Sequence, residues 1–225
     1  MHKLLDLDLN NKNLTIRVDM NVPIKNGIIV DQTRIEACIP TIQKALDNNA
    51  NVLLVSHLGR PEEGSYDKNL SLQPVAESLS KIFGLTVDLI QHLDDKSIFS
   101  GSSPIQILEN IRFFDGEKSN GDNLGKVLAA MGDIYVFDAF GTSHREQAST
   151  HSAILNSRNA CAGLLLEKEI DALTKALNNS DSPYTAVIGG SKVSTKLELI
   201  KNINIKADYI IVGGGIANTF IKASG

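Results

Sequence analysis

Val52-Leu53-Leu54-Val55-Ser56-His57-Leu58-Gly59-Arg60-Pro61 joins four aliphatic residues to a loop that carries a histidine and an arginine. Unbroken apolar residues predict a strand buried on both faces, as in a parallel sheet covered by helices on each side. Outward from it, residues 14–18, 86–89, 105–108, 134–137, 185–188 and 209–212 repeat the pattern. Amphipathic stretches lie between them. Ile35, Cys38, Ile39, Ile42, Ala45 and Leu46 share one helical face, Thr33 and Glu36 are spaced as a capping box, and Pro40 predicts a kink or restart. Ser71 is placed to cap a helix carrying Leu72, Val75, Leu79 and Ile82, stopped by Gly84. Leu124, Val127, Leu128 and Met131 form a further stripe, and Leu166, Ile170, Leu173 and Leu177 a longer one. The alternation predicts an α/β fold with a doubly wound parallel sheet in three αβα layers. The polar run Asn178-Asn179-Ser180-Asp181-Ser182-Pro183 predicts a boundary. Only two βα units follow it, which predicts an incomplete second αβα domain.

Composition narrows the class. In 225 residues, 42% are hydrophobic and 21% charged, which allows a buried core without disulfides or metal. Cys38 and Cys161 sit among apolar or small neighbours and read as structural thiols in a reducing compartment. No signal-peptide pattern and no membrane-length apolar run is present, so a cytoplasmic location is expected. A formal net charge of −4 argues against a nucleic-acid partner, which would require a broad basic face.

The basic residues are nevertheless concentrated just past strands. His57 and Arg60 follow 52–55, Arg112 follows 105–108, and His144-Arg145 follow 134–137. In open α/β sheets ligands bind at that end of the strands, so a small anionic substrate is expected. Asp19 and Asn21, two apart after the first strand, face the same way in extended chain and suit a hydroxyl-bearing ligand. Arg34 falls in a first helical turn. Arginine forks match phosphate and carboxylate oxygens. One such arginine reads as a surface ion pair; recurrence at separate strand ends carries the anion reading.

Two glycine turns complete the inventory. Gly189-Gly190-Ser191-Lys192-Val193-Ser194-Thr195-Lys196 follows a strand and leads into a helix, a setting in which backbone N–H groups can approach phosphate oxygens. Lys192 and Lys196 share a face if the turn is already helical. Gly213-Gly214-Gly215 permits close approach to a base or ribose, or is simply a tight βα turn. Neither is a Walker A motif, and no GxGxxG fingerprint, GxSxG elbow or HExxH helix occurs. Anion binding at two places without a nucleophile fits direct phosphoryl transfer, which needs positioning and positive charge.

With those residues in view, the chain resembles phosphoglycerate kinases. The similarity runs through Arg17-Val18-Asp19-Met20-Asn21-Val22-Pro23, the Ser56 to Pro61 loop, Leu108-Glu109-Asn110-Ile111-Arg112-Phe113, Asp138 through Arg145, Gly189 to Lys196 and Gly213 to Asn218. The resemblance implies a phosphoglycerate-binding domain over 1–163, an interdomain helix over 164–179 and the beginning of a nucleotide-binding domain over 180–225. It implies reversible phosphoryl transfer between 1,3-bisphosphoglycerate and ADP, giving 3-phosphoglycerate and ATP. Asp19, Asn21, Arg34, His57, Arg60, Arg112 and Arg145 would hold phosphoglycerate; Gly190, Lys192, Lys196, Gly213 and Gly214 the nucleotide. Arg34, Lys192 and Lys196 would be catalytic, and Mg2+ would arrive with ADP or ATP. A monomer without membrane or nucleic-acid partners is expected.

Met20, Ser143 and Gln147 depart from the usual family residues without touching the arginines. The match covers about the first half of the family's usual length. The acidic residue that meets Mg2+ would lie beyond Gly225, so a truncated chain that binds phosphoglycerate without turnover is expected. A non-catalytic module for phosphorylated metabolites is the alternative, and a nicotinamide oxidoreductase lacks its fingerprint.

Overall fold

A computed structural model describes residues 2–178 and 182–225. In chain order it contains β1 (Asn13–Val18), a hairpin of β2 (Ile24–Lys25) and β3 (Ile28–Ile29), α1 (Thr33–Leu46), β4 (Asn51–Val55), α2 (Gln73–Phe83), β5 (Val87–Ile90), β6 (Ile105–Leu108), α3 (Asp122–Met131), β7 (Ile134–Asp138), α4 (Ala153–Asn156), β8 (Ala160–Ala162), α5 (Leu164–Asn178), β9 (Thr185–Ile188), α6 (Leu197–Asn204), β10 (Tyr209–Val212) and α7 (Gly214–Ser224). Two compact units result, Met1–Glu169 and Ile170–Gly225, divided within α5.

The first unit is a six-stranded sheet in the order β5-β6-β4-β1-β7-β8, every pair parallel. Side chains alternate across it and build two cores. Leu14, Ile16, Val52, Leu54, Ile134 and Val136 pack with α1 and α2 residues such as Ile35, Ile42, Val75 and Leu79. Leu53, Val55, Leu108 and Tyr135 face the other way, onto Leu124 and Leu128 of α3. Burying each such aliphatic chain contributes roughly 1.5–3 kcal/mol, so both faces of the central strands are held. β1 sits at the middle, and the chain leaves it first towards β4 and later returns to its other side at β7. That reversal is a topological switch point.

Several local expectations change. Pro40 neither ends nor restarts α1, which runs through it for 14 residues. The Thr33–Glu36 capping box is replaced by Asp31, whose carboxylate accepts the Thr33 N–H at 2.8 Å. Ser71 accepts the Gln73 N–H at 3.2 Å and donates to the buried Glu109 at 2.6 Å, so it also ties α2 to the end of β6. Gly84, in the left-handed region, closes α2 as expected. The hairpin and β8 have no counterpart in the sequence reading: two-residue strands carry no periodicity, and Ala160-Cys161-Ala162 has little β propensity. Cys38 and Cys161 are both buried and free. Of the boundary run, residues 179–181 lie outside the described residues, as does the last residue of the expected interdomain helix.

The second unit pairs β9 with β10 in parallel, Thr185 opposite Tyr209 and Ile188 opposite Val212. Ala186 and Ile188 point inward, whereas Val187 and Ile211 are exposed. Among the described residues, no helix is long and apolar enough to cross a membrane.

Gly125 lies inside α3, where glycine costs about 1 kcal/mol relative to alanine. A Cβ there would meet Ser152 Oγ at 2.1 Å and its Cβ at 2.5 Å. Gly125→Ala should therefore destabilise the first unit by about 1–3 kcal/mol despite the helix gain. A urea-unfolding midpoint at or above that of the parent would contradict this packing.

Candidate functional site

The segments that follow β1, β4 and β6 are stitched into one floor. Met20 N–H donates to Ser56 Oγ at 3.0 Å, and Gly59 N–H to Asn21 Oδ1 at 2.9 Å. Asn110 accepts the Leu58 N–H at 3.2 Å and returns its own amide to Leu58 O at 2.8 Å and Leu70 O at 2.9 Å. Arg112 Nη1 donates to Gly59 O. The loop of residues 56–61 is thus held by Asn21, Asn110 and Arg112, with the N–H and C=O of Leu58 and Gly59 occupied.

On this floor stand the cations. Arg112 is 5% exposed, and its Nε–H finds no acceptor among the described residues. A buried, unmet guanidinium donor is costly, and an anion's oxygen is the partner that would satisfy it. Burial, then the charges of Arg145 and Arg17 and, less strongly, Arg60, lower the Arg112 pKa. Arg60 is exposed and Arg145 half-buried, while His144 points to solvent. Among the described residues, Arg17, Arg60, Arg112 and Arg145 make no ion pair. Arg34 differs: from the first turn of α1 it reaches Asp19 Oδ2 at 2.6 Å with its side chain 54% exposed. Asp19 Oδ1 also accepts the Asn21 N–H at 3.2 Å. Asp19 thus pairs with Arg34 while keeping acceptor capacity on both oxygens, and Asn21 keeps its amide protons for a ligand.

One participant escaped the sequence reading. Arg17, inside β1, is 1% exposed. Its Nη1 donates to Val18 O, its Nε to Ser149 Oγ at 2.9 Å, and its Nη2 contacts His57 Nδ1 at 3.2 Å. Ser149 belongs to a π-turn over Ala148–Ser152, and passes the interaction to Glu117, which is wholly buried. Glu117 accepts Ser149 Oγ–H at 2.7 Å and Ser149 N–H at 2.9 Å; Tyr135 donates to Ser149 O at 2.6 Å. The one available signal was strand alternation, which puts Thr15 and Arg17 on the face opposite Leu14 and Ile16.

In the second unit the glycine turns serve each other. Gly214, at φ +62°, lies where a Cβ would meet Gly190 O at 3.0 Å, and Ile216 N–H donates to that same oxygen at 3.1 Å. Gly190, at φ +151°, has the stem of Lys196 across it, and a Cβ on Gly190 would lie 3.1 Å from Lys196 Cε. Gly213 faces open space. Lys192 and Lys196 do not share an α-helical face: a 3-10 turn over Val193–Thr195 separates them, and both have φ near −130°. A cavity of about 590 Å³ lined by Asp8, Lys12, Asp133 and Arg158 contains none of these site residues.

A family model described as Phosphoglycerate kinase matches residues 4–225. The chain belongs to the phosphoglycerate kinase family. Curated relatives named Phosphoglycerate kinase from Desulfovibrio desulfuricans and Francisella tularensis subsp. novicida are 50% and 51% identical over 223 residues, 99% of this chain. The chain spans only 57% and 56% of those relatives' lengths. Solved phosphoglycerate kinase structures from Coxiella burnetii and Pyrococcus horikoshii match with TM-scores of 0.89 and 0.85 at 48% and 33% identity. They cover 99% and 100% of this chain, which in turn covers 57% and 58% of theirs.

The electrostatics of the first unit make two measurable statements. Glu117→Gln keeps the shape but replaces the carboxylate that accepts both Ser149 N–H and Oγ–H, and so weakens the hold on Arg17. It should cost about 1–3 kcal/mol, read as a lowered urea midpoint. A change under about 1 kcal/mol would mean that Ser149 alone suffices.

His57, 3% exposed, is pushed down to about 2, first by burial and then by the charges of Arg17, Arg112, Arg145 and Arg34. The unfolded histidine takes up a proton near pH 6.5, while the folded one does not until far lower. The unfolded state therefore binds more protons below about pH 6.5, and this group removes stability as pH falls, by about 1.4 kcal/mol per unit. Unfolding midpoints for parent and His57→Gln between about pH 7 and 5 should diverge with that slope; parallel curves would contradict it.

Proposed function

We propose that the chain is the phosphoglycerate-binding part, with the start of the nucleotide-binding part, of a phosphoglycerate kinase. The reaction is reversible phosphoryl transfer between 1,3-bisphosphoglycerate and ADP, giving 3-phosphoglycerate and ATP. The observation that carries the reading is Arg112, a nearly buried guanidinium whose Nε–H has no acceptor and which makes no ion pair among the described residues, with the charges of Arg145, Arg17 and Arg60 acting on it. Family membership supports the same chemistry.

In this reading Arg60, Arg112, Arg145 and His57 grip the phosphate that stays. Asn21 donates its amide protons to the glycerate oxygens. Arg34, exposed and paired with Asp19, turns from that carboxylate to the acyl-phosphate end and balances the charge of the moving group. Phosphoryl transfer asks for such placement and little covalent chemistry. Lys192 and Lys196 reach the nucleotide phosphates, and Gly190, Gly213 and Gly214 line its base and ribose. Mg2+ comes with the nucleotide as part of the substrate. The chain works as a cytoplasmic monomer, and these 225 residues by themselves bind phosphoglycerate without turnover.

Titration calorimetry with 3-phosphoglycerate tests the site. Binding is expected, and Arg112→Ala should weaken it by roughly 10- to 100-fold, the worth of a charge-assisted hydrogen bond pair. No heat at millimolar ligand, or an unaffected Arg112→Ala, would overturn the assignment. ATP formation from 1,3-bisphosphoglycerate and ADP at the rates of full-length relatives would overturn binding without turnover.

A further inference from the structure

We propose that Arg17 is a positioning residue that fixes His57 as a neutral imidazole carrying its proton on Nε2, so that His57 offers the anion one directional donor rather than a charge. The inference rests on the reading of the strand-end cluster as an anion site.

The geometry leaves one arrangement. A guanidinium has donors only, so an Arg17 Nη2 at 3.2 Å from His57 Nδ1 requires that Nδ1 be an unprotonated acceptor. A neutral ring then bears its hydrogen on Nε2, and an imidazolium, protonated at both nitrogens, would set N–H against N–H. Arg17 cannot swing away to admit it. Val18 O holds Nη1, and Ser149 Oγ holds Nε at 2.9 Å. Ser149 is in turn clamped by two bonds to the buried Glu117. The planar fork therefore has two anchors besides His57, on a residue that is 1% exposed.

Charge around His57 acts in the same direction from every side. Arg17 comes from β1, Arg34 from α1, Arg112 from the turn after β6 and Arg145 from the segment after β7. Glu117, before α3, is directed at Ser149. A further positive charge on His57 would repel all four arginines. A neutral N–H adds recognition without that cost, and keeps the site's charge constant through the range where histidine ordinarily switches.

Nitrogen-15 NMR of histidine-labelled protein tests this without substrate. His57, assigned by the loss of its signals in His57→Gln, should show one acceptor-type Nδ1 and one protonated Nε2. The pattern should not change between about pH 5 and 8. A protonated Nδ1, or a titration near pH 6.5, in the parent protein would overturn the proposal by itself. Arg17→Met removes the donor, and His57 should then show mixed tautomers, with its hydrogen shared between Nδ1 and Nε2. If a folded Arg17→Met keeps the fixed Nε2–H form, burial and not Arg17 sets the tautomer, and the proposal fails. Should the Met variant not fold, Arg17→Gln, whose amide can either donate to Nδ1 or accept from it, is the second test; mixed tautomers are again expected, and a fixed Nε2–H form again refutes the role. The readout is independent of ligand, so absence of 3-phosphoglycerate binding would reject the functional reading and leave this one standing.

Discussion

A guanidinium is buried in the middle of the central sheet, and the first unit is organised around satisfying it. β1 is covered on both faces, so Arg17 has no route to water for its charge. Leaving an ion unpaired there costs several kcal/mol. Its compensation is assembled from far along the chain: Ser149 lies 132 residues later, and Glu117 is the anion behind it. The π-turn over Ala148–Ser152 directs Ser149 inward from between β7 and α4. The closeness of α3 to this turn, with Gly125 against Ser152, serves the same arrangement. Structure and candidate function meet here, because the same guanidinium contacts His57.

A second buried carboxylate organises the other edge of the strand ends. Asp138, at the end of β7, accepts Thr41 Oγ–H from α1 at 2.6 Å and the Leu166 N–H of α5 at 2.8 Å. Thr41 Oγ accepts the Leu164 N–H at 3.1 Å. Burial raises the Asp138 pKa while these hydrogen bonds oppose it. The first turn of α5 is thereby capped by a strand and a neighbouring helix, with Gly163 leaving room where a Cβ would stand 2.3 Å from Asp138 Cγ. α1, which carries Arg34, is tied to the same point. The two buried acids thus locate Arg17 and α1 relative to one sheet, and with them the cations that line the strand ends.

The long elements were legible because their physics is local. Aliphatic runs such as Val52-Leu53-Leu54-Val55 declare strands buried on both faces, and stripes such as Val75 and Leu79 declare helices. The hairpin and β8 were not legible, since two- and three-residue strands acquire their state from the partner they pair with. Pro40 misled for a related reason: packing of Ile35, Cys38 and Ile42 in the core outweighs the one helix hydrogen bond that proline removes. For the site, arginines beyond strand ends could be gathered by position alone. Arg17 could not, because an arginine within a strand reads as solvent-facing until both faces of that strand are known to be covered.

The sequence by itself determined the class of fold, the strand ends where cations collect, and the family in which those motifs occur together. Periodicity and glycine or proline punctuation act over a few residues and can be read without a partner. Tertiary structure alone decided which cations stand unpaired and which are committed. Arg34 is bound to Asp19, whereas Arg112 keeps a buried donor unmet. It also decided that His57 faces a guanidinium 40 residues away in sequence. Such contacts depend on strand order and on side-chain alternation across a sheet covered on both faces, and no local pattern encodes them.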